Sequence, residues 1–163
     1  MKTRKNVKKT KKRYNKTIKK KGPYSKDDFQ SGDGMLTTVW GPSLWHTLHT
    51  ISFNYPVKPT KKHKKDYKKF IMNMKNILPC GHCRKNLLKN LKKVSLNSKA
   101  LKNRENFSRW MYDLHEQVNT MLHKKSGLTY EEVRDRYEHF RARCTEESTK
   151  NKNYAYEKKR ENA

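Results

Sequence analysis

The amino-acid sequence predicts an all-α protein, a compact bundle of four to five helices. Apolar residues recur at intervals of three and four along the middle of the chain, and no useful length of it alternates apolar with polar residues as a strand would. Proline and glycine fall between these apolar stripes, where helices have to end. The bundle is expected over residues 36–144, which hold all three Trp and all three Cys of the 163-residue chain.

The first two predicted helices are separated by prolines. The first runs from Thr38 to about Tyr55, and Gly41-Pro42 suits its first turn because the fixed φ of proline is preorganised for a helix. Pro56 and Pro59 then break the chain. The second helix runs from about Thr60 to Leu78 and has lysines opposite its apolar stripe. A further proline ends it.

Three more helices are predicted after that proline. The third starts at the cysteine pair and runs from Cys80 to about Val94, with leucines at helical spacing. The fourth, from Asn103 to about Lys125, is the longest, and Gly127 is expected to stop it. The fifth begins at Thr129-Tyr130-Glu131-Glu132, which has the spacing of a capping box, and ends near Cys144.

The two ends of the chain have a different composition from the middle. Residues 1–26 carry thirteen Lys or Arg and no acidic residue, and residues 145–163 contain no Val, Ile, Leu, Met, Phe or Trp. We therefore predict a disordered polybasic tail and linker over 1–35, a folded domain over 36–144 and a polar tail over 145–163. Such a basic tail suits contact with a polyanion, or serves only for solubility.

Several classes of protein are excluded by the sequence. No run approaches the length of apolar residues that a membrane span needs, and the basic N-terminus lacks the apolar region of a secretory signal peptide. Three cysteines do not make a multi-bridge secreted scaffold. The chain has no P-loop and no G-x-G-x-x-G, so any dinucleotide is bound without a Rossmann fingerprint.

Cys80 and Cys83 give the strongest chemical signal in the chain. The start of a helix places partial positive charge and free N–H groups beside Cys80, which favours the thiolate, and His82 lies between the two sulfurs. Such a pair suits reversible disulfide chemistry. The alternatives are half of a zinc site, for which Cys144 and histidines have to supply the remaining ligands, and an idle pair.

A second motif is found on the fourth predicted helix. His115-Glu116 resembles the start of the zinc-protease motif, but Asn119 stands where that motif needs its second histidine. No metal site is therefore predicted there. What remains is His115 and Asn119 four residues apart on one helical face, a pair that is more often solvated than functional.

Taken together, four segments resemble the FAD-linked sulfhydryl oxidase family of the augmenter-of-liver-regeneration type. Trp40–His49 resembles its W-G-x-x-x-W-x-x-L-H opening, and Phe53–Pro56 resembles its aromatic-Tyr-Pro step. Pro79–Cys83 resembles its P-C-x-x-C redox centre, and Trp110–Asn119 resembles its W-x-x-x-x-H-N-x-V-N element. The segments occur in the family's order and span roughly residues 36–144.

The resemblance implies a helical bundle that binds FAD, usually as a homodimer. It places five residues in the flavin pocket: Trp45, His49, Tyr55, His115 and Asn119. It implies that Lys124 or Lys125 meets the FAD pyrophosphate, with a solvated face as the alternative for either lysine. It also implies that Tyr137 and Phe140 lie where the family offers an aromatic ring to the adenine.

The resemblance also implies the reaction. A thiolate of a protein dithiol substrate, or of a separate thiol relay protein, attacks the Cys80–Cys83 disulfide at Cys80, and a second substrate thiol completes the oxidation. Electrons then pass from Cys83 to FAD and on to oxygen, giving hydrogen peroxide. Glu116 departs from the family, which usually has Asn there, and Cys144 has no assigned role.

Small members without a shuttle cysteine pair resemble those of large DNA viruses. This implies a host-cytoplasmic or virion setting, with the mitochondrial intermembrane space as the alternative. The competing interpretation of the whole chain is a basic nucleic-acid-binding protein with a small Cys/His zinc site. It explains the charge but not the Trp, His and Tyr residues clustered at helical spacing.

Overall fold

The computed structural model describes residues 26–142, and every regular element in that part of the chain is a helix. The predicted all-α bundle is therefore confirmed. In chain order, the helices are α1 Lys26–Gln30, α2 Thr37–Phe53, α3 Lys61–Ile77, α4 Gly81–Lys93, α5 Arg104–Met121 and α6 Tyr130–His139. None of them is both long enough and apolar enough to cross a bilayer.

The chain divides into two compact units, Met1–Asp33 and Gly34–Ala163. The described part of the first unit is α1 and a short turn, which lies inside the segment predicted to be a linker. The second unit contains α2 to α6. Residues 1–25 and 143–163, including Cys144 and most of both predicted tails, lie outside the described residues.

The core of the second unit forms where the long helices cross. Helix α2 packs against α5 and α6, while α4 packs against α3 and α5. The largest fully buried side chains are Leu48, Tyr55, Ile71, Phe107, Met111 and Leu114. A smaller cluster of Phe53, Tyr130 and Val133 joins α6 to the end of α2. Burial of these apolar faces is the main contribution to the stability of the bundle.

Two helices end earlier than the sequence predicts. Helix α5 ends at Met121 instead of Lys125, because His123 takes the left-handed conformation at φ 56°. The N–H of His123 donates to Thr120 O and that of Lys124 to Asn119 O, the Schellman arrangement that closes a helix. Gly127 has φ 69° but lies well beyond the helix end. Helix α6 ends at His139 instead of near Cys144.

Candidate active site

The cysteine pair lies at the junction of α3 and α4. Cys80 is the extended N-cap residue of α4, and its sulfur forms a disulfide with Cys83, with the two Cα atoms 5.2 Å apart. The backbone N–H of Cys83 donates to Cys80 Sγ at 3.2 Å. Both cysteines are half-buried. Pro79 gives the sharp bend at which this helix begins, since it cannot continue α3.

A short segment that ends at the first residue of α2, which we name the strap (residues 34–37), crosses this junction. Met35 N donates to Pro79 O at 2.8 Å, and Thr37 Oγ1 lies 3.7 Å from Cys83 Sγ. A Cβ on Gly34 would lie 2.8 Å from Pro79 O and 3.0 Å from Cys80 Cα, which leaves no room for any larger residue. The strap therefore depends on glycine for its close approach to the redox pair.

Four aromatic side chains from three helices meet beside the core. We name Trp45, His49, His115 and Tyr137 the aromatic cluster. Trp45 stacks on His115 with centroids 3.9 Å apart and planes 7° from parallel. His49 Nε2 is 3.0 Å from His115 Nδ1, and the His49 ring stacks on Tyr137 at 5.2 Å. Trp45 and His49 share a face of α2 because they are four residues apart.

Burial makes the aromatic cluster uncharged at neutral pH. It lowers the pKa of His49 from 6.5 to about 4, helped by the nearby His115 and His46, and it lowers the pKa of His115. Burial also raises the pKa of the Tyr137 hydroxyl. His49 Nδ1 is buried with no hydrogen-bond partner among residues 26–142, an arrangement that proteins usually avoid. The cluster therefore presents flat, neutral rings and one unmatched ring nitrogen.

The cysteines and the aromatic cluster share one core. Cys83 and Trp45 are both partly buried and pack against the same group of core residues, which includes Leu48 and Ile71. His49, whose ring centroid lies 6.2 Å from that of Trp45, is only 3% exposed. The structure therefore places a reducible disulfide and an aromatic cluster on one core, the two parts that electron transfer between sulfur and a planar group requires.

Four of the predicted flavin or phosphate residues lie outside the aromatic cluster. Tyr55 is fully buried in the core, where its hydroxyl donates to Leu101 O at 3.0 Å. Asn119 Nδ2 donates to Glu116 Oε1 at 2.8 Å, on the same helix. Lys124 and Lys125 are exposed beyond the end of α5. Their roles toward a cofactor stay predictions.

Sequence reasoning missed four residues that the structure places around the site. His46 Nδ1 lies 3.2 Å from the Tyr137 hydroxyl, and the Phe53 ring is parallel to that of Tyr137 at 5.3 Å. The adjacency of His46 to Trp45 was the available signal for the first. Gly34 and Thr37 belong to the strap, and nothing in the local sequence pattern marks them.

The zinc alternative gains no support. The two sulfurs are joined as a disulfide, and residues 26–142 contain no group of three or more His, Cys, Asp or Glu arranged to hold a metal ion. Structural zinc needs four ligands, of which the pair supplies at most two.

Comparison with known proteins points to one family. Residues 42–138 match the sequence model of the Erv1 / Alr family. The chain is 37% identical to a probable FAD-linked sulfhydryl oxidase of Acanthamoeba polyphaga mimivirus, over 61% of this chain and 68% of that protein. It is 34% identical to the FAD-linked sulfhydryl oxidase of an African swine fever virus isolate, over 61% and 80%. The mitochondrial FAD-linked sulfhydryl oxidase Erv1 of Saccharomyces cerevisiae is also 34% identical, but only 43% of its length is matched.

Solved structures agree with this. The crystal structure of the yeast Erv1 core superposes with a TM-score of 0.56 at 28% identity, over 74% of this chain and 94% of that one. The FAD-binding domain of Saccharomyces cerevisiae Erv1 superposes with a TM-score of 0.56 at 30% identity, over 63% and 94%.

Proposed function

The chain belongs to the Erv1 / Alr family, and from this premise we propose that it is an FAD-dependent sulfhydryl oxidase that forms disulfide bonds in dithiol substrates. One observation carries the proposal. The Cys80–Cys83 disulfide, at the start of α4, packs on the same core as Trp45 of the aromatic cluster. The first feature suits thiol exchange, and the second suits a flavin ring.

The residues of the aromatic cluster fit a planar heteroaromatic group. Trp45, His115 and Tyr137 offer ring faces, and the buried Nδ1 of His49 offers a hydrogen-bonding atom that has no partner among the described residues. We propose that these four residues hold the flavin. Asn119 and either Lys124 or Lys125 follow on the same stretch of chain, and we assign them to the ribose and pyrophosphate side. For Tyr55 the structure favours a core role.

The reaction begins with thiol exchange at the cysteine pair. A substrate thiolate attacks Cys80 Sγ, so that a mixed disulfide forms and the Cys80–Cys83 bond breaks. The second substrate thiolate then attacks the substrate sulfur of that mixed disulfide. The substrate leaves with its own disulfide, and both enzyme cysteines are left reduced.

The protein stabilises the sulfur that leaves in the first step. The start of α4 favours negative charge on both cysteines. The hydroxyl of Thr37 is placed to donate to Cys83 Sγ, and the N–H of Cys83 donates to Cys80 Sγ. The two reduced cysteines would give up an electron pair and two protons and become a disulfide again, and FAD held by the aromatic cluster would supply the acceptor that passes the electrons to oxygen as hydrogen peroxide. Within the cluster, His49 is buried and its lowered pKa keeps the ring uncharged beside the proposed flavin site.

The partners and setting follow from the same family membership. We propose that the substrate is a protein dithiol or a separate thiol relay protein, that oxygen is the acceptor, and that the enzyme works as a homodimer. The folded domain is proposed to span 36–144, which contains the matched residues 42–138. Relatives from mimivirus and African swine fever virus favour host cytoplasm or virion. The mitochondrial yeast relative favours the intermembrane space as the alternative.

A visible spectrum and an oxygen electrode test this function together. We expect the purified protein to be yellow, to lose its flavin absorbance maximum on addition of dithiothreitol without air, and to consume oxygen with dithiothreitol as substrate. Cys83→Ser should keep the bound flavin and lose turnover by about a thousandfold or more, while Cys144→Ser should retain turnover. A colourless protein that FAD does not reconstitute, or turnover that survives in Cys83→Ser, contradicts the proposal.

A further inference from the structure

Positive charge is concentrated on one part of the fold. We name α3, α4 and the turn between them (residues 61–93) the basic hairpin, and it contains twelve Lys or Arg and one acidic residue, Asp66. Helices α2, α5 and α6 together contain four Lys or Arg and seven Asp or Glu. The folded domain is therefore strongly polarised, independently of the basic residues near the N-terminus.

The charge on the basic hairpin is exposed and barely neutralised. Its eleven lysines are exposed or half-exposed, and in the described part of the chain Lys62–Asp66 is the one ion pair that any of them makes. Several of the lysines, such as Lys65 and Lys69 or Lys85 and Lys89, stand four residues apart on one helical face, where like charges repel. The exposed positive charge therefore does not stabilise the fold. Its role is expected to be the binding of a partner of opposite charge.

The redox pair lies at the bend of this charged surface. Cys80 and Cys83 sit where α3 ends and α4 begins, and Lys75 and Lys85 are each within about two helical turns of them. The bend also carries one exposed apolar side chain, because Ile77 just before it is 69% exposed. Any protein that reaches the disulfide must therefore bring its own surface against the basic hairpin.

We propose that the physiological dithiol substrate is a protein whose cysteines are flanked by acidic residues, which the basic hairpin attracts. This inference rests on the oxidase function proposed above. The chemistry is unchanged: two substrate thiols become one disulfide, and the Cys80–Cys83 disulfide becomes two thiols as it takes the electron pair. The lysines take no part in that exchange. They speed the encounter and orient the acidic segment along α3 and α4.

Other occupants fit the observations less well. A second copy of the chain, related by a two-fold axis, would bring its own basic hairpin against this one and be repelled. A nucleic acid matches the charge but has no thiol, so it does not explain why the charge surrounds the redox pair. The experiment therefore also tests whether a nucleic acid binds the basic hairpin.

Two synthetic dithiol peptides test the proposal on the full chain. Both carry the same Cys-x-x-Cys centre, one with glutamates and the other with glutamines on either side, and dithiothreitol serves as an uncharged substrate. At about 20 mM salt we expect kcat/KM to be about tenfold higher for the acidic peptide, and the ratio to approach one at about 0.5 M salt. The rate with dithiothreitol should change little with salt.

Substitutions of lysines test whether the preference for the acidic peptide comes from the basic hairpin. Lys68→Gln/Lys85→Gln/Lys89→Gln should remove most of the preference for the acidic peptide and leave dithiothreitol turnover intact. The matched control Lys58→Gln/Lys99→Gln/Lys102→Gln removes three exposed charges outside the hairpin and should keep the preference. An unaltered preference in the hairpin variant overturns the proposal, because the attraction then comes from elsewhere in the chain.

Three further outcomes are decisive. Equal kcat/KM for the two peptides, with dithiothreitol oxidised normally, overturns the acidic-substrate proposal and leaves the oxidase function standing. No oxidation of any dithiol contradicts the oxidase function itself. A short DNA duplex that binds the hairpin more tightly than the acidic peptide at the same salt, and loses that binding in the hairpin variant, makes this surface a nucleic-acid site and overturns the proposal.

Discussion

The basic hairpin and the aromatic cluster have opposite physical properties within one small bundle, since the first is charged and the second is uncharged. The hairpin exposes eleven lysines to water and carries the disulfide at its bend. The cluster is built on α2, α5 and α6, and its two central histidines have pKa values lowered by burial. Hydrated charge suits the recruitment of a macromolecular substrate, whereas neutral stacked rings suit a flavin.

The difference explains where the cysteines lie. A thiol substrate must reach the disulfide from water, yet the electrons have to continue toward the aromatic cluster, in which His49 is buried. Cys83 is half-buried and packs on the core that also contacts Trp45, so it lies at the boundary between the two regions.

The largest effect expected is a loss of stability at acidic pH that comes from the aromatic cluster. In the unfolded chain His49 has an ordinary pKa near 6.5, but in the folded protein its pKa is about 4. The unfolded state therefore binds the proton more strongly, and stability falls as the pH is lowered through this window. Between pH 7.5 and 4.5 we expect His49 to account for a loss of about 2.5 kcal/mol in the free energy of unfolding.

Urea titrations across that range measure the effect. His49→Gln should flatten this part of the pH dependence, while His139→Gln, at an exposed position on α6, should follow the wild type. The hydrogen bond between His49 and His115 adds to the effect, because two protonated rings cannot donate to each other. The interpretation fails if His49→Gln and wild type lose the same stability.

The next effect, about 2 kcal/mol, concerns the hairpin and its strap. Gly34→Ala places a methyl group 2.8 Å from Pro79 O and 3.0 Å from Cys80 Cα, so the strap has to move away from the disulfide. We expect lower stability to urea and a several-fold slower oxidation of dithiothreitol, because Thr37 moves with the strap. Gly32→Ala is the control, since no atom lies within 4 Å of its Cβ position. If Gly34→Ala and Gly32→Ala have the same stability to urea and the same oxidation rate, the strap does not position Thr37.

Features set by neighbouring residues could be predicted from the sequence, whereas contacts that depend on how the helices cross could not. Five helices of the domain, the cysteine pair at a helix start, and Trp45 and His49 on one face all follow from spacing, proline and glycine. The stacking of Trp45 on His115 does not, because it joins residues seventy positions apart and depends on the packing of α2 against α5. The strap was missed for the same reason.

Helix ends show the limit of local signals. Gly127 is the residue expected to stop α5, yet His123 takes the left-handed position four residues earlier. Non-glycine residues adopt that conformation only at some energetic expense, so sequence preference points to the glycine. The prediction for Tyr55 comes from the family resemblance and not from a local signal; the structure buries this side chain among core residues, and its role toward a flavin stays a prediction.

Tyr55→Phe tests that difference, with an expected effect of about 1.5 kcal/mol. The change keeps the ring and removes the hydroxyl that donates to Leu101 O, leaving a buried carbonyl without its partner. Flavin content, measured by absorbance after gel filtration, should be unchanged while urea stability falls. Tyr67→Phe is the control, because the Tyr67 hydroxyl makes no hydrogen bond within residues 26–142. Loss of flavin from Tyr55→Phe with unchanged stability favours the family's assignment instead.

The smallest effect compares equivalent caps in the two regions. Thr60 caps α3 in a box with His63, and Thr129 caps α6 in a box with Glu132. The Glu132 carboxylate accepts from Thr129 N at 2.6 Å and from its hydroxyl at 2.9 Å, and these bonds lower the pKa of Glu132. A carboxylate acceptor at the positive end of a helix is stronger than the ring nitrogen of a histidine.

We therefore expect Thr129→Ala to lower the free energy of unfolding by about 1 kcal/mol and Thr60→Ala by about half as much, measured in urea at pH 7. Glu132→Gln should remove the difference between the two caps, because it keeps the hydrogen-bonding geometry and takes away the charge. If Thr60→Ala lowers the free energy of unfolding more than Thr129→Ala does, the start of α3 is stabilised by interactions other than this capping box. The lysines that crowd the first turn of α3 would then have to be stabilising its start, against the expected repulsion between like charges and the helix dipole.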